Sequence, residues 1–429
     1  MKKRILVFPC GSEIGLEIHN ALKFSTHIEL FGGSTISNHG KYVYKNYIED
    51  IPNVDSSNFI EEINEVIRKN KIDFIFPAHD SVVLKLAENI NKLSCSVIGS
   101  PAETCAICRS KSKTYDFFRE IIDVPYVYKN GEVPFVYPVF LKPDVGQGSK
   151  GTFLANSLAD IEFYRRKDES ILVLEYLPGE EYTIDCFTDK NRKLLYAEAR
   201  FRNRISNGIS VETFPASNPI FRDIADKINK ELAFRGAWFF QLKKNADGKY
   251  VLLEIAPRIA GSMALYRNLG VNFPLLSVFD ALDKEVMISD NKYDIIMDRA
   301  LFNRFQIKLD YKRVYIDLDD TIIFENKANP LVLFYLYQCL NNDVKISLLS
   351  RHKARTGNDI GDVLKNFRIG EIFDEIIDVK DGESKDIYIK DKKSIFIDDS
   401  FSERNTVKEK LNIPVFEVSS IESLINWKY

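Results

Sequence analysis

The sequence predicts a multidomain protein of mixed α/β and α+β class, and three observations carry that prediction. In the N-terminal part, short apolar strands alternate with amphipathic helices. A lysine-bearing strand and a glycine-rich turn then open a longer middle part, and near the C-terminal end two strands each deliver aspartates. Because 429 residues exceed one ordinary core, we place domain boundaries at 1–104, 105–312 and 313–429.

The charge composition does not indicate binding to nucleic acid or to an anionic membrane. Apolar residues make up 45% and charged residues 28% of the chain, and the formal net charge is −3. No apolar run is long enough to cross a bilayer, and the apolar stretch at 5–8 is too short for a secretory signal. The six cysteines are scattered, which suggests reduced thiols. We therefore expect a cytoplasmic protein with no membrane and no nucleic-acid partner.

Cys105 and Cys108 have the spacing of a metal or redox pair. Neither a second pair nor a nearby histidine completes a zinc set, and the context is not that of a thioredoxin-like motif. We favour packing at the start of a helix.

The N-terminal part reads as a parallel sheet covered by helices on both faces. A strand at 4–8 leads into a turn with Gly11 and Gly15 and then a helix. Two glycines are a weak signal for dinucleotide binding, so close helix–strand packing is favoured. His79 and Asp80 follow a strand at its carboxyl end, where α/β folds bind ligands, and a purely structural turn is equally compatible with them.

The strand at 137–143 carries Lys142 inside an apolar run. A lysine there must meet an anion, because burying an unpaired charge is costly. Directly after it comes Gly146-Gln-Gly148-Ser149-Lys150-Gly151, whose backbone can approach phosphate oxygens closely. It is not a Walker A loop, since no Gly-Lys-Ser/Thr opens a helix. Because this turn follows a buried lysine, we favour phosphate binding over a turn that is merely flexible.

Gln241 and Glu254 are polar residues inside two apolar strands that flank a turn at 246–248. If both side chains face inward, their oxygens are suited to a Mg²⁺ that carries nucleotide phosphates. The alternative is that both occupy edge positions facing solvent.

Near the C-terminal end, a short buried strand at 314–316 delivers Asp317 and Asp319, and a second at 394–397 delivers Asp398 and Asp399. Carboxylates placed together repel unless a cation lies between them, and Mg²⁺ prefers such oxygen ligands. A carboxylate can also act as a nucleophile toward phosphorus. This part therefore indicates phosphoryl transfer.

In the middle part, several motifs in order resemble an ATP-grasp domain of the carbamoyl-phosphate-synthetase-like group. They are Lys111, Phe140-Leu-Lys142-Pro, Gly-Gln-Gly-Ser-Lys-Gly, Glu175-Tyr-Leu-Pro-Gly-Glu-Glu181, Gln241 and Glu254-Ile-Ala-Pro-Arg258. The resemblance covers about 111–262. Residues 1–104 resemble the Rossmann-like pre-ATP-grasp domain that precedes it. The set in this order is specific, although no single motif decides.

The resemblance implies a role for each matched residue. The ATP phosphates would contact Lys111 and Lys142, with Gly146, Gly148, Ser149, Lys150 and Gly151 closing over them. Glu175, Tyr176 and Leu177 would form the adenine hinge, Glu181 would hold the ribose, and Arg200 would assist. Gln241 and Glu254 would carry Mg²⁺ or Mn²⁺, and Arg258 would stabilise the transferred phosphoryl group.

One position departs from the family pattern. The family usually reads Glu-x-Asn-Pro-Arg, and Ala256 stands here where Asn completes the second metal site. That second Mg²⁺ would be weaker or held otherwise.

The C-terminal part resembles the haloacid-dehalogenase-like (HAD) superfamily in four motifs. Asp317-Leu-Asp319-Asp-Thr321 matches the first, Ser350 the second, Lys385 the third and Asp398-Asp399 the fourth. By resemblance, Asp317 is the nucleophile, Asp319 the general acid/base, and Ser350 and Lys385 bind the phosphoryl oxygens. Mg²⁺ would lie on Asp317, Asp398 and the backbone carbonyl of Asp319. Only 28 residues separate Thr321 from Ser350 and 34 separate Ser350 from Lys385, so we expect no cap domain.

Together the resemblances imply a bifunctional enzyme that uses ATP and Mg²⁺. The ATP-grasp part would ligate a small-molecule carboxylate to an amine through an acyl phosphate, and the HAD-type part would dephosphorylate a phosphorylated metabolite of the same pathway. Two alternatives stay open: a phosphatase whose ATP-grasp part is a non-catalytic binding module, which Ala256 supports, or a kinase-like use of that part. Related enzymes are often dimers, which leaves a homodimer open. Arg202, Arg204 and Arg267 are candidate clamps for an anionic substrate, with surface arginines as the alternative.

Overall fold

A computed structural model describes residues 2–146, 148 and 150–428. The chain divides into two compact units, Met1–Leu301 and Phe302–Lys428. The first unit contains the first predicted domain and residues 105–301 of the second, whereas residues 302–312 fall in the second unit. The predicted boundary at 104 stays a prediction. Across the described residues, no helix combines the length and the apolar character that crossing a membrane would need.

The first unit begins with a parallel sheet in the order β3-β2-β1-β4-β5. Its elements are β1 (Lys3–Phe8), α1 (Glu13–Leu22), β2 (Ile28–Gly33), β3 (Asn46–Ile48), α2 (Phe59–Asn70), β4 (Phe74–Pro77), α3 (Asp80–Glu88), β5 (Ser96–Val97) and α4 (Ala102–Arg109). Short 3₁₀ turns lie at His39–Tyr42 and Ile90–Lys92. Short apolar strands alternate with helices along this part of the chain, and the strands form one parallel sheet, as the hydrophobic pattern predicts.

The glycines after β1 serve close packing. A Cβ on Gly15 would lie 2.5 Å from the carbonyl oxygen of Cys10 and 2.6 Å from that of Pro9. The hydroxyl of Ser12 caps α1 by accepting from the amide of Gly15, at 3.0 Å. The turn between β1 and α1 therefore needs its small residue to bring helix and strand together.

Two antiparallel sheets follow in the first unit. The smaller, in the order β6-β9-β7-β8, is preceded by α5. Its elements are α5 (Lys111–Phe118), β6 (Val127–Tyr128), β7 (Val139–Pro143), β8 (Phe153–Ala155), α6 (Leu158–Lys167) and β9 (Ile171–Glu175). Buried side chains that include Val139, Leu141 and Val173 form its core.

The larger antiparallel sheet has the order β14-β13-β10-β11-β12-β15. Its elements are β10 (Glu181–Thr188), β11 (Leu194–Ser206), β12 (Ile209–Ala216), α7 (Pro219–Glu231), β13 (Gly236–Lys244), β14 (Tyr250–Ala256), a 3₁₀ turn (Gly261–Met263), α8 (Ala264–Asn268), α9 (Phe273–Ala281) and β15 (Met297–Asp298). Helix α7 packs its apolar side on one face of this sheet, where Trp238 and Phe240 are fully buried. On the other face, polar residues that include Glu181, Gln241 and Glu254 line a cavity.

The second unit is built on a parallel sheet in the order β20-β19-β16-β21-β22. Its elements are β16 (Arg313–Ile316), β17 (Ile323–Phe324), β18 (Lys327–Ala328), α10 (Pro330–Asn341), β19 (Lys345–Ser350), α11 (His352–Thr356), α12 (Ile360–Phe367), β20 (Glu375–Asp378), β21 (Ser394–Ile397), α13 (Phe401–Leu411) and β22 (Val415–Phe416). Further 3₁₀ turns lie at Gly370–Ile372, Lys385–Tyr388 and Val418–Ser423.

Successive residues of β16 point to opposite faces of this sheet. Val314 and Ile316 belong to one buried cluster, and Tyr315 to another. The central strands are covered on both sides, as expected for a parallel sheet. The segment between Thr321 and Ser350 holds a two-strand hairpin, helix α10 and strand β19.

Two candidate active sites

In the first unit, most of the predicted nucleotide-binding residues line one cavity of about 160 Å³. Strands of both antiparallel sheets contribute to it. The predicted residues that line it are Lys111, Lys142, Gly146, Gly148, Lys150, Glu175, Tyr176, Leu177, Glu181, Gln241 and Glu254. Gly151 lies in the turn that leads to β8 and is not among its described lining residues. Ser149 lies outside the described residues.

Lys142, at the end of β7, is buried and faces this cavity. Its Nζ donates to the carbonyl oxygen of Leu253 at 3.2 Å and lies 5.4 Å from the ring centre of Tyr115. Burial lowers the pKa of Lys142 to about 7, against the opposing effect of Glu254. Within the described residues, no carboxylate forms a salt bridge with it. An anion in the cavity would supply the missing partner.

Lys111, the first residue of α5, is a second buried lysine at the same cavity. Its Nζ donates to the carbonyl oxygens of Asp144 and Gly146, each at 3.3 Å. Burial lowers its pKa, and nearby Glu254 opposes that shift. Two lysines whose partners are carbonyl groups form a cationic end of the cavity that is suited to phosphate oxygens.

Gln241 on β13 and Glu254 on β14 lie directly opposite each other across the two strands. Their side chains face the cavity and not bulk solvent. A carboxylate beside an amide oxygen is a donor set that fits Mg²⁺ or Mn²⁺. Arg202 on β11 donates to the Oε1 atom of Gln241 at 3.2 Å and also to the carboxylate of Glu181.

A second cavity of about 110 Å³ adjoins the first. Both cavities are lined by Lys111, Gly146, Gly148, Arg202, Gly208, Gln241 and Glu254. The second is also lined by Arg200, Arg258 and Ala256 and by Asp80 from the N-terminal part. Gln241 and Glu254, the pair predicted to hold a metal ion, therefore lie at the boundary between the two cavities.

Arg258 and Arg200 line this second cavity and are held by acidic partners. The guanidinium of Arg258 donates to both carboxylate oxygens of Asp80, at 2.7 and 2.8 Å. Arg200 donates to both oxygens of Asp185, at 2.8 and 3.3 Å, and both side chains are buried. The structure thus places these two predicted residues in the second cavity, and neither is among the described lining residues of the first.

Two buried polar atoms at this cavity have no hydrogen-bond partner among the described residues. They are the hydroxyl of Thr183, which lies opposite Gln241 on the next strand, and the Nε atom of Arg202. A buried polar group without a partner costs free energy, so both atoms mark positions where a ligand could bind.

Of the three arginines predicted as clamps, only Arg202 is among the described lining residues of these cavities. Arg204 pairs with Glu212 at 3.1 Å and with Asp298 on the exposed side of the sheet. Arg267 pairs with Glu17 of α1, at 2.7 Å.

In the second unit, the predicted residues meet at the carboxyl ends of adjacent parallel strands. Asp317 follows β16, Asp398 follows β21 and Ser350 ends β19. The Nζ atom of Lys385 donates to Asp317 at 2.5 Å and to Asp398 at 2.7 Å. Burial raises the pKa of both carboxyl groups, and Lys385 opposes that shift. Although burial alone would lower it, the pKa of Lys385 is raised by the two aspartates.

Oxygen atoms of Asp317, Asp398 and Asp399 lie within 4.8 Å of one another. These three carboxylates fit the oxygen preference of Mg²⁺. Asp399 was not assigned as a ligand from the sequence, although its position directly after Asp398 was the available signal. Asp319 was assigned through its backbone carbonyl, and its side chain is turned to other partners.

Those partners are His352 and Arg355, which the sequence pattern did not predict. The Nδ1 atom of His352 lies 2.8 Å from the Oδ1 atom of Asp319, and the Nη2 atom of Arg355 lies 3.1 Å from its Oδ2 atom. Both belong to α11, which begins directly after the loop at Ser350. The available signal in the sequence was a histidine two residues past Ser350, the serine predicted to bind phosphate.

Comparison with known proteins addresses the first unit. Residues 167–299 match a family model described as ATP-grasp in the biosynthetic pathway with Ter operon. A D-alanine–D-alanine ligase of Petrotoga mobilis is 31% identical over 103 residues, which cover 22% of this chain and 34% of the relative. The 3-methyl-D-ornithine–L-lysine ligase of Methanosarcina barkeri is 24% identical over 258 residues, or 58% of this chain and 68% of the relative.

Solved structures agree at the level of the fold. An L-amino acid ligase from Bacillus licheniformis aligns with a TM-score of 0.54 at 15% identity, over 66% of this chain and 74% of that one. A biotin carboxylase from Campylobacter jejuni aligns with a TM-score of 0.56 at 15% identity, over 67% and 72%.

Residues 167–299 thus match an ATP-grasp family model, and about two thirds of the chain shares the fold of these solved structures. The matches span between 23% and 57% of the length of the first four curated relatives.

Proposed function

We propose that the first unit is an ATP-dependent ligase that joins a carboxylic acid to an amine through an acyl phosphate. The observation that carries this proposal is the pair Gln241–Glu254 at the boundary of two adjoining cavities. Such a pair can place the terminal phosphate of ATP from one cavity next to an acid in the other. The names of two relatives, ligases for D-alanine with D-alanine and for 3-methyl-D-ornithine with L-lysine, support an acid and an amine as substrates.

In the proposed first step, a carboxylate oxygen of the acid attacks the γ-phosphorus of ATP. The bond from that phosphorus to the β,γ-bridging oxygen breaks, which gives an acyl phosphate and ADP. Lys111 and Lys142 hold the phosphate oxygens, and Arg258 balances charge on the transferred group. Mg²⁺ or Mn²⁺ held by Gln241 and Glu254 would neutralise phosphate charge when bound.

In the second step, the amine nitrogen attacks the acyl carbon, the carbon–oxygen bond to phosphate breaks and the nitrogen loses a proton. The unpartnered hydroxyl of Thr183 and the Nε atom of Arg202 are available to bind the acceptor acid. Asp80 keeps Arg258 in place for both steps through its two hydrogen bonds.

The test is ADP release measured against combinations of acids and amines, with mass spectrometry of the products. The proposal expects ADP and an amide only when both substrates are present. ATP turnover that needs neither substrate, with no amide formed, would show the ligase assignment to be wrong.

Ala256 favours a second candidate function for the first unit, a binding module that holds ATP or substrate without ligation. Ala256 lines the second cavity close to Glu254 and supplies no oxygen ligand. Under this alternative, nucleotide binds with Mg²⁺ but no acid stimulates its turnover. A kinase-like use would instead need an acid alone and would leave a stable phosphorylated product.

For the second unit we propose a phosphatase of the HAD type that acts on a phosphorylated metabolite of the same pathway. The buried cluster of Asp317, Lys385 and Asp398 at adjacent strand ends supports it. Asp317 would attack phosphorus and form an aspartyl phosphate while the leaving oxygen takes a proton from Asp319. Water would then attack that phosphorus and lose one proton to Asp319, and the bond between phosphorus and the Asp317 oxygen would break, which releases inorganic phosphate and restores the Asp317 carboxylate. Mg²⁺ held by Asp317, Asp398 and Asp399 would offset the charge of the phosphoryl group.

Replacement of the nucleophile tests this second assignment. Asp317→Asn should abolish Mg²⁺-dependent hydrolysis of an aryl phosphate, whereas Asp381→Asn, at an exposed loop position, should leave it unchanged. Equal turnover in the Asp317→Asn variant and the unaltered chain would refute the assignment.

A further inference from the structure

The side chain of Asp319 has a different partner on each carboxylate oxygen. His352 contacts Oδ1 through its Nδ1 atom at 2.8 Å, and Arg355 contacts Oδ2 through its Nη2 atom at 3.1 Å. When Asp319 is ionised it only accepts hydrogen bonds, so in that state the Nδ1 atom of His352 donates to Oδ1.

The two partners differ in how firmly they are held. The side chain of His352 is 12% exposed, whereas that of Arg355 is 59% exposed. An exposed ion pair contributes little free energy, so Arg355 is readily displaced from Oδ2. His352 is enclosed, and Oδ1 stays occupied when a substrate arrives.

Among the described residues, the imidazole has one polar contact, which is the one between its Nδ1 atom and Asp319. Its Nε2 atom is buried and has no hydrogen-bond partner in the part of the chain that the structure describes. The backbone amide of His352 donates to the hydroxyl of Ser350 at 3.0 Å, which ties the start of α11 to a predicted phosphate-binding residue. The ring is thereby placed relative to both Ser350 and Asp319.

We propose that His352 is a positioning residue of the phosphatase reaction, which holds Oδ1 of Asp319 so that Oδ2 delivers the proton to the leaving group. This inference rests on the proposed phosphatase function of the second unit. In the step concerned, an oxygen of Asp317 bonds to phosphorus, the bond to the leaving oxygen breaks, and that oxygen receives the proton from Oδ2. When His352 is absent, Asp319 is still present, but its Oδ2 atom is no longer held toward the leaving oxygen.

The test compares two aryl phosphates whose leaving groups differ in basicity, phenyl phosphate and 2,4-dinitrophenyl phosphate. Phenolate is a poor leaving group that needs a proton, whereas dinitrophenolate leaves without one. Values of kcat/KM report the first chemical step on the full-length chain with Mg²⁺. We expect His352→Ala to lower kcat/KM by about tenfold or more for phenyl phosphate and to change it little for the dinitrophenyl ester.

Two further variants complete the test. His352→Asn keeps a donor near the Nδ1 position and should restore most of the activity on phenyl phosphate. Lys353→Gln, on the same helix but 4.0 Å from Asp378 and without a contact to Asp319 among the described residues, should leave both rates unchanged.

The outcomes separate the two proposals. An equal loss on both esters, or no rescue by His352→Asn, would overturn the positioning role of His352 and leave the phosphatase intact. If the unaltered chain hydrolyses neither ester, the phosphatase assignment fails, and the role of His352 fails with it.

Discussion

At the residue scale, Lys142 shows how a single charged side chain that is buried among apolar neighbours indicates a ligand. The sequence placed a lysine inside an apolar strand, and the structure buries its amine against a carbonyl group and an aromatic ring. Burial lowers the pKa of Lys142 to about 7, so at pH 8 much of it is neutral without a ligand. Phosphate oxygens nearby would favour the charged form and draw a proton from solvent.

Binding of MgATP at pH 8 should therefore be accompanied by uptake of about one proton, because the pKa of Lys142 rises past the pH of the solution. Calorimetry in buffers of different ionisation enthalpy measures this uptake. It should shrink at pH 6, where the lysine already carries its proton, and disappear in Lys142→Met. The matched control Lys227→Met, at an exposed position of α7, should retain it. Proton uptake that persists in Lys142→Met would contradict this account of the site.

Some residues of the two sites could be predicted because their signal is local. Lys142 interrupts an apolar run, and Asp317 and Asp398 each follow a buried strand, so periodicity and position are enough to find them. Partners from distant parts of the chain could not be found in that way. Arg258 meets Asp80 across 178 positions, and neither local pattern contains the other residue. The contact between His352 and Asp319 could not be predicted for the same reason, because it depends on how α11 turns after β19.

At the scale of elements, that contact between Asp80 and Arg258 connects helix α3 of the parallel sheet with the loop after β14. Asp80 and Arg258 are 16% and 12% exposed. Although burial alone would raise it, the pKa of Asp80 is lowered by Arg258. A folded-state pKa below the unfolded value means that the pair stabilises at neutral pH and that this contribution is lost as the pH falls through the folded pKa.

Asp80→Asn should lower the free energy of unfolding by about 2 kcal/mol near pH 7, because Arg258 would keep its charge without its partner. The difference from the unaltered chain should decrease at acid pH. Urea unfolding followed by the fluorescence of Trp238, in a Trp427→Phe background, reports on the first unit. Asp116→Asn removes an exposed ion pair with Arg119 and should have little effect. If Asp80→Asn lowers the free energy of unfolding no more than Asp116→Asn does, the pair of Asp80 and Arg258 does not stabilise the fold.

Strand and helix periodicity also indicated which element types occur, but not how the strands of the larger antiparallel sheet pair. β10 pairs with β13 and β11, so Thr183 comes to lie between Gln241 and Arg200. That row of side chains crosses strands separated by long stretches of sequence. Cross-strand register is set by tertiary packing, and the sequence therefore predicted Gln241 and Glu254 as a pair but missed Thr183.

At the scale of the whole molecule, the chain has two units, each with buried cores of its own. The second unit holds its candidate site entirely within residues 302–428, on its own parallel sheet. We expect Phe302–Lys428 to fold when expressed alone and to hydrolyse an aryl phosphate with a kcat/KM close to that of the full chain. The same fragment with Asp317→Asn is its inactive control. A folded fragment without activity would mean that the site is incomplete in the second unit.

We propose that one chain combines an ATP-dependent ligase with a phosphatase. The most direct test uses full-length protein with Asp317→Asn, so that the second unit cannot remove phosphate from any product. This variant is incubated with MgATP and mixtures of carboxylic acids and amines, and ADP and amide are quantified together. The account predicts equal amounts of ADP and amide, formed only when an acid and an amine are both present. ATP consumption that depends on neither substrate, with no amide at any combination, would contradict it.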